Sequence, residues 1–217
     1  SMLKFYYNPR SPMARRVWRG LLEKDIPFEG IVMNLNGDQF QPDYLQIHPF
    51  HHVPAIVDDG FRMIESIAIL EYLETKYPTP PLLPKDTQAL ATVRMVQMVS
   101  TNELMPKTIP LILNNQDSST FIEAKQHVEK VLEFFADNLK DNDYFGGENL
   151  SLADIIVGTD ISFLPHLGID FGKHSNLNNW FERLMQRESW KTTEMTPEEY
   201  QQFKRVLIRM IQKKIKP

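Results

Sequence analysis

The sequence predicts a small α/β domain followed by an all-helical bundle. Up to residue 78, strand and helix signals alternate; from residue 86 onward, apolar residues recur almost entirely at helical spacing. Between them, Pro78, Pro80, Pro81 and Pro84 cannot continue a helix and favour a stiff, extended connection. The expected boundaries are 1–78 for the α/β domain, 79–85 for the linker and 86–217 for the helical domain.

Leu3, Phe5 and Tyr7 alternate as in a strand, and Arg15 to Leu22 reads as a helix with Val17 and Leu21 inward. A second strand is expected from Glu29 to Met33, after Pro27-Phe28, and a short helical turn near Asp43 to Ile47. Val53-Pro54 leads into the apolar strand Ala55-Ile56-Val57, and Asp58-Asp59-Gly60 supplies a tight hairpin turn. The return strand, near Phe61 to Met63, gives way to Glu65-Ser66, which opens a helix carrying Ile67, Leu70 and Leu73. The order βαβαββα calls for a sheet with both parallel and antiparallel pairs, covered by helices.

In the second domain, Asp86 is placed to cap a long helix through Ala89, Val93, Val96 and Val99, which Pro106 and Pro110 should kink or end. Ala124, Val128, Val131, Leu132, Phe135 and Leu139 form one helical stripe. Leu177, Trp180, Phe181 and Leu184 form another. Phe203, Val206, Leu207 and Met210 form a last one, beside a basic tail that reads as a solvated face. Ser151 and Asp154 have the spacing of a capping box, with Leu150 and Ile155 placed as a hydrophobic staple. The helix that follows is so poor in charge that it belongs at the centre of the bundle.

Composition narrows the function. The chain has 217 residues, 42% hydrophobic and 24% charged, ordinary proportions for a globular protein. A net charge of -4 gives no reason to expect nucleic acid or an anionic membrane as partner. With no cysteine, disulfides, thiolate metal sites and cysteine nucleophiles are excluded. No apolar run approaches membrane-spanning length and no signal-peptide pattern is seen, so a cytoplasmic location is expected.

The proline loop, the hairpin and the polar helix start converge between Tyr44 and Tyr77. Such a corner can hold an extended peptide by its backbone and carboxylate, which suggests a site for a thiol-bearing peptide. These residues carry a resemblance. Val53-Pro54, Glu65-Ser66 with the Ile69-Leu70-Glu71-Tyr72-Leu73 helix, and the Ser151-x-x-Asp154 cap resemble the soluble glutathione transferases. The resemblance implies a thioredoxin-like N-terminal domain with glutathione as co-substrate, no other cofactor and no metal. It also implies a hydrophobic electrophile as second substrate, a homodimer and a role in detoxification. Pro54 would be cis and Val53 would pair with the cysteinyl part of glutathione, while Glu65 and Ser66 would bind its γ-glutamyl end.

Asn8 to Val17 resembles the serine-type members, where a serine, three residues and Arg-x-Val sit at the first helix. On that match Ser11 donates to the glutathione sulfur and favours its thiolate. Tyr6 is the competing candidate, since other branches use a tyrosine at the end of the first strand. His48, His51 and His52 form a cluster that raises the question of a metal, but nothing nearby supplies a third-ligand pattern. The resemblance implies instead that His51 meets the glycyl carboxylate, with His52 where many members carry lysine. His48 stands in place of the usual asparagine and Ile67 in place of a common arginine. Glu103 is a candidate for the γ-glutamyl end across a dimer interface. The implied function is conjugation of glutathione to an electrophile. Alternatives are a non-catalytic ligand-binding or protein-association module on the same fold, and a glutathione-dependent dehalogenase or isomerase.

Overall fold

The computed structural model describes the backbone of residues 1–215 and side chains through Lys213; Lys216, at the end of the basic tail, lies outside the described residues. The chain divides into two compact units, Ser1–Leu82 with Glu188–Thr193, and Leu83–Arg187 with Glu194–Pro217. Among the described residues, no helix is long and apolar enough to cross a membrane.

In the first unit, β1 (Leu3–Tyr7), α1 (Pro12–Glu23), β2 (Phe28–Val32), α2 (Pro42–Leu45), β3 (Ala55–Asp58), β4 (Phe61–Ile64) and α3 (Ser66–Lys76) follow in the expected order. The strands lie β2-β1-β3-β4, with β1 parallel to β2 and antiparallel to β3. A parallel pair needs a crossover, and α1 provides it. β3 and β4 are antiparallel, with Asp58 opposite Phe61 across a two-residue loop. Asp59 (φ 48°) and Gly60 (φ 81°) take the two positive φ values that a type I′ turn demands. Phe5, Val17, Leu21, Ile56, Ile69 and Leu73 are fully buried in the core of this unit. At Gly20, α1 approaches α3 so closely that an added Cβ would lie 2.4 Å from Leu70 Cδ2.

Helix α1 begins at Pro12, three residues before the expected Arg15. Ser11 caps it, and a proline in the first turn loses no hydrogen bond. Three of its arginines, Arg15, Arg16 and Arg19, are buried. Arg15 Nη2 donates to the Thr193 carbonyl (3.1 Å) and Arg19 Nε to Thr193 Oγ1 (2.9 Å), while the Arg19 guanidinium lies 4.5 Å from the Trp190 ring centre. These partners sit on α9 (Glu188–Thr193), a helix distant in sequence that completes the first unit. After α3 the chain is tied back: Lys24 pairs with Glu74 (2.9 Å) and donates to the Pro80 carbonyl (2.6 Å), and the Leu82 N–H donates to Glu74 (2.7 Å).

The second unit is helical. It contains α4 (Thr87–Val99), α5 (Met105–Leu113), α6 (Ser119–Leu139), α7 (Leu152–Ile161), α8 (Ser175–Met185) and α10 (Pro197–Ile215). Asp86 caps α4 by accepting from the Ala89 N–H at 3.0 Å. The two prolines, expected to kink or end this helix, leave the helical path unbroken. A π-helical stretch, Ser100–Leu104, joins α4 to α5 and absorbs the change in winding. Pro106 then falls in the first turn of α5, where its missing N–H is harmless, and Pro110 lies inside α5.

Every residue of α7 is buried, and the reciprocal contacts of a capping box hold its start. Asp154 does more than cap. Its carboxylate accepts from the Ser151 N–H (2.7 Å), Ser151 Oγ (2.6 Å), the Phe145 N–H (2.9 Å) and Trp180 Nε1 (2.8 Å). Burial pushes its pKa up to about 6 even though these donors pull it down.

Candidate functional site

The site is assembled in the first unit, where two helices begin. β1 ends at Tyr7, and Asn8 shapes the loop that follows. Its side chain donates to the Met33 carbonyl (2.9 Å) and accepts from the Arg10 N–H (2.9 Å), and its carbonyl accepts from the Ser11 N–H (3.0 Å). Ser11 then opens α1, its Oγ accepting from the Ala14 N–H at 3.4 Å. A hydroxyl that accepts from a helix N–H still has its own proton to donate. Capping and donation to a ligand atom are therefore compatible at Ser11.

Tyr6 and Tyr7 are both half-buried. Tyr7 stacks on Phe5 with ring centres 4.6 Å apart and lies against Trp18; burial raises its pKa. The Tyr6 ring tilts against Tyr44 at 5.6 Å. Tyr6, Ala14 of α1 and Val53 belong to one apolar cluster, which brings the end of β1, the first turn of α1 and the proline loop together.

That loop is held from within. Tyr44 Oη donates to the His52 carbonyl at 2.6 Å, and burial, then the neighbouring Tyr6, hold the Tyr44 phenol well above its ordinary pKa. His48 is buried and its Nδ1 accepts from the Phe50 N–H (3.3 Å). Burial, then proximity to His52, lowers the His48 pKa against an opposing pull from Glu65, which favours neutral imidazole. His48 thus serves the loop. His51 is half-buried at φ 53°, its ring against Phe40 (4.9 Å), and His52 is exposed. Among the described residues, no group of three or more histidine, cysteine, aspartate or glutamate side chains is placed to hold a metal ion. Val53 and Pro54 are buried and joined by a cis peptide bond just before β3.

Glu65 and Ser66 open α3. Glu65 is exposed and has φ 75° and ψ 112°, a strained backbone for a residue with a Cβ. Ser66, the first residue of α3, is buried. Its Oγ accepts from Arg16 Nη1 at 3.1 Å and lies 3.8 Å from Met13 Sδ, so the starts of α1 and α3 meet side chain to side chain. The start of α3 has no side-chain cap, and both helix N-termini present the positive end of a dipole, suited to anions. Glu103 lies in the second unit, 3.5 Å from His127.

Two family profiles cover this architecture. Residues 5–81 match "Glutathione S-transferase, N-terminal domain" and residues 71–188 match "Glutathione S-transferase, C-terminal domain". The chain belongs to the glutathione S-transferase family. Glutathione S-transferase hmp2 of Hypomyces subiculosus is 32% identical over 206 residues, covering 87% of this chain and 96% of that protein. Glutathione S-transferase F11 of Arabidopsis thaliana is 31% identical over 205 residues, covering 88% and 96%. The structure of the Bombyx mori glutathione transferase BmGSTD1 superposes with a TM-score of 0.82 at 27% identity, covering 93% of this chain and 96% of that one. The expected α/β and all-helical composition of a glutathione transferase is therefore present. Sequence reasoning did not assign Arg16, Met13, Asn8 or Tyr44 to the site. For Arg16 one signal existed: it stands four residues before Gly20, on the stripe that carries Val17 and Leu21.

Proposed function

We propose that this glutathione transferase binds glutathione across the starts of α1 and α3 and conjugates its thiolate to an apolar electrophile. The observation that carries the reading is the meeting of those two helix starts through Ser66, Arg16 and Met13. Ser66 and the α3 N-terminus suit the α-carboxylate of the γ-glutamyl group, and the exposed Glu65 suits its ammonium. Val53 offers backbone to the cysteinyl part, as an edge segment does in strand addition. Pro54 fixes that segment. His51 and His52 lie on the same loop for the glycyl carboxylate, and His52 adds charge only when protonated.

The chemical task at Ser11 is to favour thiolate over thiol. A free cysteine thiol has a pKa of about 8.5, and each unit of depression needs about 1.4 kcal/mol. One hydroxyl hydrogen bond with the positive end of α1 supplies roughly one to two units. Ser11 is not consumed. It donates to the sulfur while proximity and orientation do the rest. Tyr6 has its ring in the cluster with Val53 and is the second candidate for that donor.

The enzyme is further expected to be a cytoplasmic homodimer, with exposed Phe50 and Phe61 among the apolar surface available to a second copy. Calorimetric titration with glutathione, with thiolate absorbance followed from pH 5 to 9 on the same samples, tests the central reading. Binding with a lowered thiol pKa is the expected result. Binding with the thiol at its free value would leave a carrier, and no binding at millimolar glutathione would reject the site.

A further inference from the structure

We propose that Arg16 is a positioning residue that fixes the Ser66 hydroxyl as a hydrogen-bond donor and so selects a carboxylate at the start of α3. The inference rests on the placement of the glutathione γ-glutamyl carboxylate at Ser66. Arg16 has no exposed surface, and its Nη1 lies 3.1 Å from Ser66 Oγ. A guanidinium has donors only, so Ser66 must accept from it. The single hydroxyl proton is then turned away from Arg16. The atom it meets is Met13 Sδ at 3.8 Å, and a thioether is a weak acceptor.

A carboxylate oxygen arriving at the α3 N-terminus is a much better acceptor for that proton. Donation from a buried cation also polarises the hydroxyl and strengthens the bond it makes in turn. A ligand ammonium, by contrast, would have only the one remaining lone pair, beside the buried guanidinium whose like charge repels it. The pair thus reads the sign of the ligand group before any direct contact with Arg16. Arg16 and Ser66 are 50 residues apart in sequence, so the same bond ties the second turn of α1 to the start of α3.

The test compares glutathione with its analogue lacking the γ-glutamyl α-carboxylate, 4-aminobutanoyl-cysteinylglycine. Calorimetry is run on wild type, Arg16→Met, Ser66→Ala and the double variant, each first checked for a cooperative melt. Arg16→Met is expected to weaken glutathione about tenfold, the scale of a lost charge-assisted bond. Its effect on the analogue should be less than twofold. The double variant should match Ser66→Ala, because Arg16 acts through that hydroxyl. In kinetics KM for glutathione should rise while kcat at saturation holds.

Equal weakening of glutathione and analogue, or multiplying effects in the double variant, would overturn the proposal. Should Arg16→Met not fold, Arg16→Gln replaces it: a several-fold fall in the preference for glutathione over the analogue supports the role, and an unchanged preference overturns it. If Ser66→Ala leaves that preference intact, the carboxylate placement itself has failed and the inference falls with it. If Ser66→Ala removes the preference and the Arg16 variants keep it, only the inference is wrong.

Discussion

Ser11 and Ser151 hold the same local post, each the capping residue of a helix, one in the first unit and one in the second. Ser151 is closed in on itself: its N–H and its Oγ both donate to Asp154, whose carboxylate also takes the Phe145 and Trp180 donors. Ser11 accepts from the Ala14 N–H and has a proton left to give. A cap whose bonding capacity is filled by the protein is an instrument of stability. A cap with capacity left over is available to a ligand, and that separates the two serines more clearly than burial, since both are buried.

The comparison can be broken in four ways. The largest effect belongs to Asp154→Ala, which takes the acceptor from four donor groups in the core and should cost about 3–5 kcal/mol in urea unfolding. A loss below 1 kcal/mol would mean that the second unit does not depend on this closed network. Next is its pH dependence. With a folded pKa of about 6 against an ordinary 3.8, Asp154 holds its proton more tightly when folded. Its contribution is therefore full below about pH 4 and is lost as pH rises toward 6. Wild type should lose on the order of 2–3 kcal/mol relative to Asp154→Asn over that range. Denaturation at pH 4, 5, 6 and 7 measures it; parallel curves would contradict the assignment.

Ser11→Ala should lower turnover about 10- to 100-fold while glutathione affinity stays within a few-fold. An unchanged rate would move the sulfur contact to Tyr6 or to backbone N–H groups. Ser151→Ala is the mildest change. It should cost about 1 kcal/mol of stability and leave glutathione binding as it was. If the two alanine variants behaved alike in both assays, the distinction between the caps would collapse.

How much of this was readable in advance follows from the range of the interactions. The βαβαββα order, the Asp-Gly hairpin and the Ser151-x-x-Asp154 box depend on neighbours in sequence, and each lies where its local signal puts it. Apolar periodicity alone starts α1 at Arg15, and Pro12 counts as helical only once Ser11 is taken as the capping residue. The π-helical stretch before Pro106 has no local signature comparable to the proline it precedes. Buried arginines are harder still, since three arginines on one helix normally face water. Their partners, Trp190 and Thr193 on α9 and Ser66 on α3, become neighbours only after the chain has folded. The corner that holds Val53, Pro54, Glu65 and Ser66 was recognisable from motifs, while the Arg16 contact beneath Ser66 was not.

The placement of α9 in the first unit has a consequence for how the protein is made. A ribosome releases Arg15 178 residues, and Arg19 174 residues, before their partner Thr193. Until then, α1 carries cations shaped for a wall that does not exist. A nascent chain stalled at Leu82 would hold every strand of the sheet and still lack part of its own interior.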